Sequence, residues 1–303
     1  MTSFPKRLPH WFKQPLSDLQ NTKNLLKDIN SLGINTVCVS GRCPNKGSCF
    51  REKRLTFMIM GSICTRDCKF CAVKKGIPEP LNNEEPFNIV KQINKLNLKF
   101  IVMTSVTRDD LEDGGASFFH QTIKTIKTTI HNVKIELLIP DFQGSKQAID
   151  TILSSPPNVF GHNLETIPRL YKKVRPQADY KTSLNLLAYV KSKNNCVLTK
   201  TGIMVGLGEK KDEIIELMKD VVRVKCDFFT LGQYLQPDRR CVEVKEYIHP
   251  EIFDEYCKIG KDLGIKNIYA GPLIRSSYHA EDEYYKMRSN FSPLKKSATE
   301  LFR

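Results

Sequence analysis

The sequence predicts an α/β protein whose parallel strands form an open or partial barrel. Seven short runs rich in β-branched or aromatic residues alternate with six segments of helical periodicity. Parallel strands need a crossover of this kind between each pair, and the expected crossovers are right-handed. The 303 residues suffice for one barrel-sized domain, and no linker divides the chain.

The predicted strands and helices alternate from residue 55 onward. The predicted strands span residues 55–61, 100–105, 133–139, 159–164, 198–207, 228–235 and 267–274. The predicted helices span residues 86–97, 116–131, 145–154, 168–193, 210–225 and 250–263. Six strand–helix units with one last strand place all strand C-termini at one mouth, which is the active face of such a barrel.

Residues 1–53 are interpreted as an extension of this barrel. After a proline-punctuated start, a helical pattern ends near Gly33. Residues 36–53 hold three cysteines among glycine and proline, which favours a loop around a ligand over any regular element. The predicted division is therefore an extension over 1–53, a barrel over 54–274 and a C-terminal segment over 275–303 that closes over the mouth.

The composition is that of a folded protein, with 40% hydrophobic and 26% charged residues. No apolar run approaches the roughly 20 residues that cross a bilayer, and no signal-peptide segment begins the chain, so we expect a cytoplasmic protein without membrane contact. The net charge of +14 suits an acidic partner. The basic residues are dispersed, which favours a general compositional bias over a dedicated binding face.

Six of the ten cysteines fall within one 34-residue stretch. Disulfide-dense scaffolds are small secreted domains, so metal or redox chemistry is the better explanation here. The remaining four cysteines lack ligand spacing and are interpreted as ordinary residues: Cys196, Cys226, Cys241 and Cys257.

The first triplet is the set Cys64, Cys68 and Cys71, spaced C-x3-C-x2-C directly after the first predicted barrel strand. Three thiolates in so short a loop can hold three irons of a [4Fe-4S] cube and leave the fourth iron open to a small bidentate ligand. A thioredoxin-like C-x-x-C pair does not explain the preceding cysteine. Structural zinc is the stronger alternative, although it uses four ligands in pairs.

The second triplet is the set Cys38, Cys43 and Cys49, spaced C-x4-C-x5-C and again without a fourth local ligand. One triplet would suffice for the open-iron chemistry. A second cluster needs its own purpose, and electron transfer, substrate binding or a source of sulfide remain open from the spacing alone.

The first triplet, with Phe70 before its last cysteine, resembles the signature of the radical S-adenosylmethionine (SAM) superfamily. Residues 36–50 followed by 55–73 resemble, more narrowly, the lipoyl synthase family. Further points of resemblance follow in order along the chain at residues 9–13, 104–115, 162–166, 174–180, 200–209, 230–237 and 275–278. The resemblance implies a radical SAM partial (β/α)6 barrel with SAM and two [4Fe-4S] clusters as cofactors.

The resemblance also implies a role for each candidate residue. The SAM-binding cluster would be held by Cys64, Cys68 and Cys71, and the auxiliary cluster by Cys38, Cys43, Cys49 and Ser277. By itself, a serine pair after a strand indicates a turn or cap, so the assignment of Ser277 as a ligand depends on the resemblance. The residues expected to contact SAM are Thr104, Ser105, Asn163, Glu165 and Met204. Without the resemblance, Glu165 is equally well explained as a carboxylate that caps the next helix.

The implied reaction inserts sulfur at C6 and C8 of an octanoyl chain carried on a lysine of a lipoyl carrier domain, with two SAM consumed and sulfide taken from the auxiliary cluster. Saturated C–H bonds have no acidic proton, so acid–base catalysis cannot break them and we expect radical chemistry. The implied partners are carrier domains of the 2-oxoacid dehydrogenase E2 and glycine cleavage H protein types, an electron donor such as ferredoxin or flavodoxin, and an iron–sulfur carrier. No nucleic-acid or membrane partner is expected.

Two other function classes remain open. One is a different radical SAM sulfur-inserting enzyme, but biotin synthase does not explain the second triplet, and an RNA methylthiotransferase would carry a further RNA-binding module, for which the 25 residues after Tyr278 are too few. The other is a non-enzymatic iron–sulfur or zinc module that binds nucleic acid, which the dispersed basic residues disfavour.

Overall fold

A computed structural model describes residues 8–13 and 19–291. Parts of the predicted extension (1–7 and 14–18) and of the predicted C-terminal segment (292–303) lie outside the described residues. The strands are β1 (Asn35–Thr36), β2 (Thr56–Ile59), β3 (Ile63–Cys64), β4 (Lys74–Lys75), β5 (Phe100–Ser105), β6 (Lys134–Leu138), β7 (Val159–Gly161), β8 (Leu198–Val205), β9 (Phe228–Gln233) and β10 (Asn267–Gly271).

The α-helices occupy most of the connections between strands. They are α1 (Leu19–Ser31), α2 (Val37–Ser40), α3 (Lys46–Arg51), α4 (Glu85–Leu96), α5 (Ala116–Thr129), α6 (Lys146–Leu153), α7 (Tyr171–Val174), α8 (Tyr180–Lys193), α9 (Lys211–Arg223), α10 (Pro250–Asp262) and α11 (Ala280–Phe291). No described helix is both long enough and apolar enough to cross a membrane.

Eight strands form one sheet in the order β1-β2-β5-β6-β7-β8-β9-β10. The short edge strand β1 is antiparallel to β2, and every other pair in this sheet is parallel. A separate two-stranded sheet pairs β3 with β4. The seven predicted strands all exist, and their order along the sheet follows their order along the chain, as the strand–helix alternation predicts.

Two predicted elements differ from the structure. The helix predicted over 168–193 is interrupted between α7 and α8, because Pro176 disfavours helical dihedrals at Arg175, where φ is −133° and ψ is 67°. Asp179 then caps α8 by accepting a hydrogen bond from the Thr182 N–H at 2.7 Å. The loop predicted over 36–53 was wrong in part, since it contains the short helices α2 and α3.

The two faces of the sheet have different coverings. On the outer face, strand residues such as Met103 and Leu231 pack against the surrounding helices. On the inner face, Phe100 and Phe228 near the starts of their strands are covered by α11 through Tyr284. Side chains alternate between the two faces along each strand. Inner-face residues near the strand C-termini therefore lie at the open mouth. The inner face thus has a filled half and an open half.

Candidate active site

The first triplet lies on the segment that follows β2, with Cys64 as the last residue of β3, beside the loop that follows β5. The Sγ atom of Cys64 accepts hydrogen bonds from the N–H groups of Arg66 at 3.4 Å and Thr107 at 3.3 Å. Thr65 adds two bonds to the carbonyl oxygen of Thr107, from its N–H at 3.1 Å and its hydroxyl at 3.0 Å. The backbone around Cys64 is therefore fixed to the neighbouring strand end.

Arg66 connects this loop to two further loops. Its guanidinium makes a bidentate pair with Asp109, at 2.6 and 2.8 Å, and contacts Asp141 at 2.7 and 2.8 Å. The Arg66 side chain is only 4% exposed. Burial by itself would raise the pKa of Asp141, but hydrogen bonds from Arg66 and its charge lower that pKa below the ordinary value. We refer to these three residues as the Arg66 bridge.

The far end of the same loop is held by backbone contacts. The Lys69 N–H donates to the carbonyl of Val174 at 2.8 Å, and the Val242 N–H donates to the carbonyl of Lys69 at 2.8 Å. The Cys241 thiol donates to the carbonyl of Cys71 at 3.5 Å. Cys241 is buried beside the first triplet, a position that its spacing in the sequence did not indicate.

The thiols of the first triplet influence one another electrostatically. Burial raises the pKa of Cys71 to about 12, with smaller contributions from Cys68 and Cys64. Burial also raises the pKa of Cys68, although Arg175 opposes this shift. Thiols bind iron as thiolates, so a cationic iron–sulfur core stabilises the charged form that the protein alone disfavours. The donor set fits a [4Fe-4S] group.

The second triplet is carried by α2, α3 and the turn between them. The side-chain hydroxyl of Thr36 accepts a hydrogen bond from the Cys38 N–H at 3.2 Å and begins α2. Burial, followed by the charges of Cys38 and Cys43, raises the pKa of Cys49 to about 12. The three thiols therefore lie within electrostatic reach of one another, and they fit an iron–sulfur group for the same reason as the first triplet.

The second triplet shares a cavity with the segment that follows β10. Cys38, Cys43 and Cys49 line this cavity together with Arg275 and Ser277. The side-chain amide of Asn45 donates to the carbonyl of Leu273 at 2.7 Å, which ties the two segments together. The tertiary structure thus brings Ser277 to the three cysteines across more than two hundred residues of sequence.

Gly232, at the end of β9, makes room for that crossing segment. A Cβ atom at this position would lie 2.0 Å from the carbonyl oxygen of Ile274 and 3.2 Å from a guanidinium nitrogen of Arg275. No side chain can therefore replace the hydrogen at Gly232 without displacing the backbone of the segment that carries Ser277.

The residues expected to contact SAM lie at neighbouring strand ends. The Thr104 hydroxyl is already engaged, since it donates to the carbonyl of Leu138 at 2.7 Å. The Met204 N–H donates to the carbonyl of Glu165 at 2.8 Å, and the Asn163 side-chain amide donates to the Glu165 carboxylate at 3.2 Å. Ser105 belongs to the same strand end as Thr104. The structure thus groups these strand ends at one mouth.

Two buried polar atoms at this mouth have no partner among the described residues, namely the side-chain carbonyl of Asn163 and Nε of Arg175. The hydroxyl of Ser105 also has none, but alternation along β5 puts Ser105 on the outer face with Met103. Buried polar groups without a partner are rare in native proteins. Such atoms are available to a polar ligand. Arg175 has no role in the sequence-based prediction, although it lies within the resembling stretch 174–180.

Glu165 and His162 have distinct environments. Glu165 has a left-handed φ of 66°, is half-buried, and pairs with Asn163 rather than capping a helix. Burial raises the pKa of Glu165, and Arg175 opposes this shift. His162 is buried between the carbonyl of Ile139 at 2.9 Å and the hydroxyl of Ser183 at 3.0 Å. Burial lowers its pKa to about 4, so His162 is neutral and structural.

Zinc was the strongest alternative for either triplet. Within residues 8–13 and 19–291, no three His, Cys, Asp or Glu side chains are close enough together to hold one metal ion. A single zinc requires all its sulfur ligands at about 2.3 Å from one centre, whereas a cube distributes them over separate irons. What favours a cluster over a structural zinc is the sequence pattern, in which each triplet lacks a fourth local ligand.

Comparisons with known proteins agree with this geometry. Residues 58–221 match the family model described as the radical SAM superfamily. A lipoyl synthase of Caldanaerobacter subterraneus subsp. tengcongensis is 51% identical over 277 residues, which cover 91% of this chain and 96% of that protein. A lipoyl synthase of Treponema denticola is 46% identical, covering 91% of this chain and 94% of that protein.

The chain belongs to the lipoyl synthase family of the radical SAM superfamily. The resemblance inferred from its motifs is confirmed, and it is an enzyme of this family. Membership in the superfamily carries the use of SAM and of a [4Fe-4S] cluster, and membership in the family implies a lipoyl carrier protein as substrate.

Solved structures support the fold class. Methylornithine synthase aligns with a TM-score of 0.55 at 15% identity, covering 70% of this chain and 62% of its own. Streptococcus suis SuiB bound to its precursor peptide aligns with a TM-score of 0.57 at 14% identity, covering 93% of this chain and 60% of its own. At such low identity, these alignments confirm the predicted α/β fold class and nothing finer.

Proposed function

We propose that this enzyme inserts two sulfur atoms, at C6 and C8, into an octanoyl chain attached to a lysine of a lipoyl carrier domain. Two SAM molecules would be consumed for each product, and the sulfur would come from an auxiliary [4Fe-4S] cluster. The SAM-binding cluster is assigned to Cys64, Cys68 and Cys71, and the auxiliary cluster to Cys38, Cys43, Cys49 and Ser277.

One observation carries this proposal. Ser277 lines the same cavity as all three cysteines of the second triplet, although it lies in a distant part of the sequence. Three thiols and one hydroxyl lie at this single cavity. The hydroxyl would bind iron less tightly than the thiols, because oxygen is a harder ligand than sulfur. Such a set suits a cluster that must release material during turnover.

A cluster at Cys64, Cys68 and Cys71 would pass one electron from the donor to SAM for its reductive cleavage, and a cluster at Cys38, Cys43 and Cys49 would supply the sulfur. The protein's own contribution is placement. Asn163 offers an unpartnered polar atom for the polar groups of SAM, and Thr104, Ser105, Glu165 and Met204 belong to the same strand ends. The Arg66 bridge keeps the first triplet in register with that mouth.

The finer partners belong to the same proposal. The carrier domains are those of the 2-oxoacid dehydrogenase E2 and glycine cleavage H protein types, the electron donor is a ferredoxin or flavodoxin, and an iron–sulfur carrier rebuilds the auxiliary cluster. The division into an extension over 1–53, a barrel over 54–274 and a C-terminal segment over 275–303 is part of this proposal, with the two ends of the chain contributing the auxiliary-cluster ligands.

The test combines a count with an assay. Anaerobically reconstituted full-length protein should contain about eight irons and about eight acid-labile sulfides, as two cubes require. With SAM, a low-potential reductant and an octanoylated carrier domain, it should form the dithiolated product, detected by mass spectrometry of the carrier. About four irons per chain, together with SAM cleavage but no sulfur on the carrier, would overturn the proposal.

A further inference from the structure

Three buried charged side chains meet on the inner face of the sheet. Nζ of Lys200 on β8 lies 3.2 Å from a carboxylate oxygen of Glu136 on β6 and 2.9 Å from one of Glu283 on α11. The side chains are 3%, 4% and 6% exposed, respectively. Nothing in the proposed chemistry uses them. We refer to these three residues as the Lys200 triad.

The Lys200 triad lies where α11 enters the barrel. Around it, the apolar side of α11 packs on the first halves of the strands through Ala280, Tyr284 and Met287. The rings of Phe100 and Tyr284 are 5.4 Å apart. The charged triad and the apolar contacts together close the half of the barrel opposite the mouth.

Apolar packing alone would hold a helix in this place, since replacing buried ion pairs by well-packed apolar residues is often neutral or stabilising. An ion triad additionally fixes the position of α11 relative to the strands. One ammonium between two carboxylates accepts a single rotation and a single axial position of α11, because any slip leaves buried charges without partners. Burial raises the pKa of Glu283 to about 7, although the charge of Lys200 opposes this shift.

The register of α11 bears directly on the auxiliary site. Ser277 lies three residues before Ala280, the first residue of α11. Asp282, next to Glu283, makes a bidentate pair with Arg54 at 2.7 and 3.0 Å. Arg54 lies five residues after Cys49, and its N–H donates to the carbonyl of Cys49 at 2.8 Å. One turn of α11 is therefore tied both to the barrel wall and to the second triplet.

We propose that Lys200 is a positioning residue: by holding Glu283 against Glu136, it fixes the register of α11 and so places Ser277 at the second triplet. This inference rests on the proposed role of Ser277. The proposal gives a function to Lys200, the first residue of the stretch 200–209, which has no role in the proposed SAM site.

The test compares full-length, anaerobically reconstituted Lys200→Met and Glu283→Gln with the parental protein. Glu283→Gln keeps the side-chain volume and leaves the strands intact, so it remains informative if Lys200→Met does not fold. Lys219→Met is the matched control, because Lys219 pairs with Glu216 at 2.7 Å on the exposed surface of α9. Lys200→Arg keeps the positive charge and tests whether that charge is enough to hold α11 in place.

Two readouts are needed. Amide hydrogen exchange in peptides covering 272–279 and α11 should become at least tenfold faster in both triad variants, stay unchanged in Lys219→Met and move back toward parental values in Lys200→Arg. The ratio of sulfur-inserted product to SAM cleaved should fall at least fivefold in the triad variants, while SAM cleavage itself stays within twofold.

Unchanged exchange in both triad variants would overturn the proposal. Faster exchange with a parental ratio of product to SAM cleavage would also overturn it, because the triad would then stabilise α11 without placing Ser277. If the parental protein itself makes no product, the proposed function fails, and the exchange of residues 272–279 still decides whether Lys200 positions that segment.

Discussion

The two cysteine triplets are held by different kinds of contact. The first triplet lies within one barrel loop and is fixed by the Arg66 bridge and by backbone bonds to the adjacent strand end. The second triplet lies on two short helices and the turn between them, outside the parallel strands. It is tied to the far end of the chain through Asn45 with Leu273 and through Arg54 with Asp282. The first site is built locally, whereas the second is assembled from both ends of the chain.

This difference fits two different tasks. A cluster that must generate a radical repeatedly benefits from rigid ligands supported by further fixed groups. A cluster that gives up sulfur must be opened and rebuilt, and a site closed by a separate segment allows that. We expect disruption of the first triplet to affect every step, and disruption of the second to affect only the later ones.

The largest expected effect separates the roles of the triplets. Replacing Cys64, Cys68 or Cys71 by Ala should abolish both SAM cleavage and product formation. Replacing Cys38, Cys43 or Cys49 by Ala should abolish product but leave reductive SAM cleavage measurable as 5′-deoxyadenosine. Loss of SAM cleavage in a folded Cys43→Ala protein that retains its first cluster would contradict this separation.

The next effect concerns the Arg66 bridge. Arg66→Lys keeps the charge, but an ammonium cannot make the bidentate contact with Asp109 and reach Asp141 at the same time. We expect at least tenfold less iron bound at the first triplet, measured in a Cys43→Ala background so that only this site contributes.

The matched control for the Arg66 bridge is Arg169→Lys. Arg169 makes the same bidentate contact with Glu213, at 2.6 and 2.8 Å, but half of its side chain is exposed. Exposed pairs contribute up to about 1 kcal/mol, so iron content should stay parental. Equal iron loss in the two variants would show that the bridge has no special role at the first triplet.

A smaller effect is expected at Ser277. Ser277→Ala should let both clusters assemble but reduce product formation roughly tenfold, about 1.4 kcal/mol in the barrier. Ser277→Cys should hold the fourth iron more firmly and also slow sulfur release, because thiolate is the softer ligand. Parental rates of product formation in both variants would restore the turn interpretation of residues 275–278.

The smallest effect is electrostatic and should be independent of both triplets. The net charge of +14 should steer an acidic carrier domain to the enzyme, so raising the salt concentration from low to moderate should weaken binding several-fold as the Debye length shortens to roughly 8–10 Å. Titration calorimetry should give the same salt dependence for the Cys43→Ala and Cys68→Ala proteins. Tighter and productive binding of a similar-sized RNA hairpin, with no turnover of the carrier, would favour the nucleic-acid alternative.

Much of the barrel was predictable because its signals are local. Hydrophobic periodicity located all seven parallel strands, and the alternation with helices predicted their order. The errors arose where local chemistry competes with periodicity. Pro176 interrupts an otherwise helical stretch, and Thr36 begins a short helix inside a stretch whose glycine and proline content favours a loop.

The sequence by itself determined the fold class and the first triplet, because the three cysteines are spaced closely enough for one loop to present them together. Only the tertiary structure decided which distant groups meet them. Asp109 and Asp141 reach Arg66 from two other strand ends, and Glu283 reaches Lys200 from the C-terminal helix. Ser277 was indicated only by the family resemblance, and the fold brings it to the cavity of the second triplet after the last strand. The physical reason is that such contacts depend on strand order and register across the whole sheet, and residue spacing along the chain carries no record of which loops the sheet brings together.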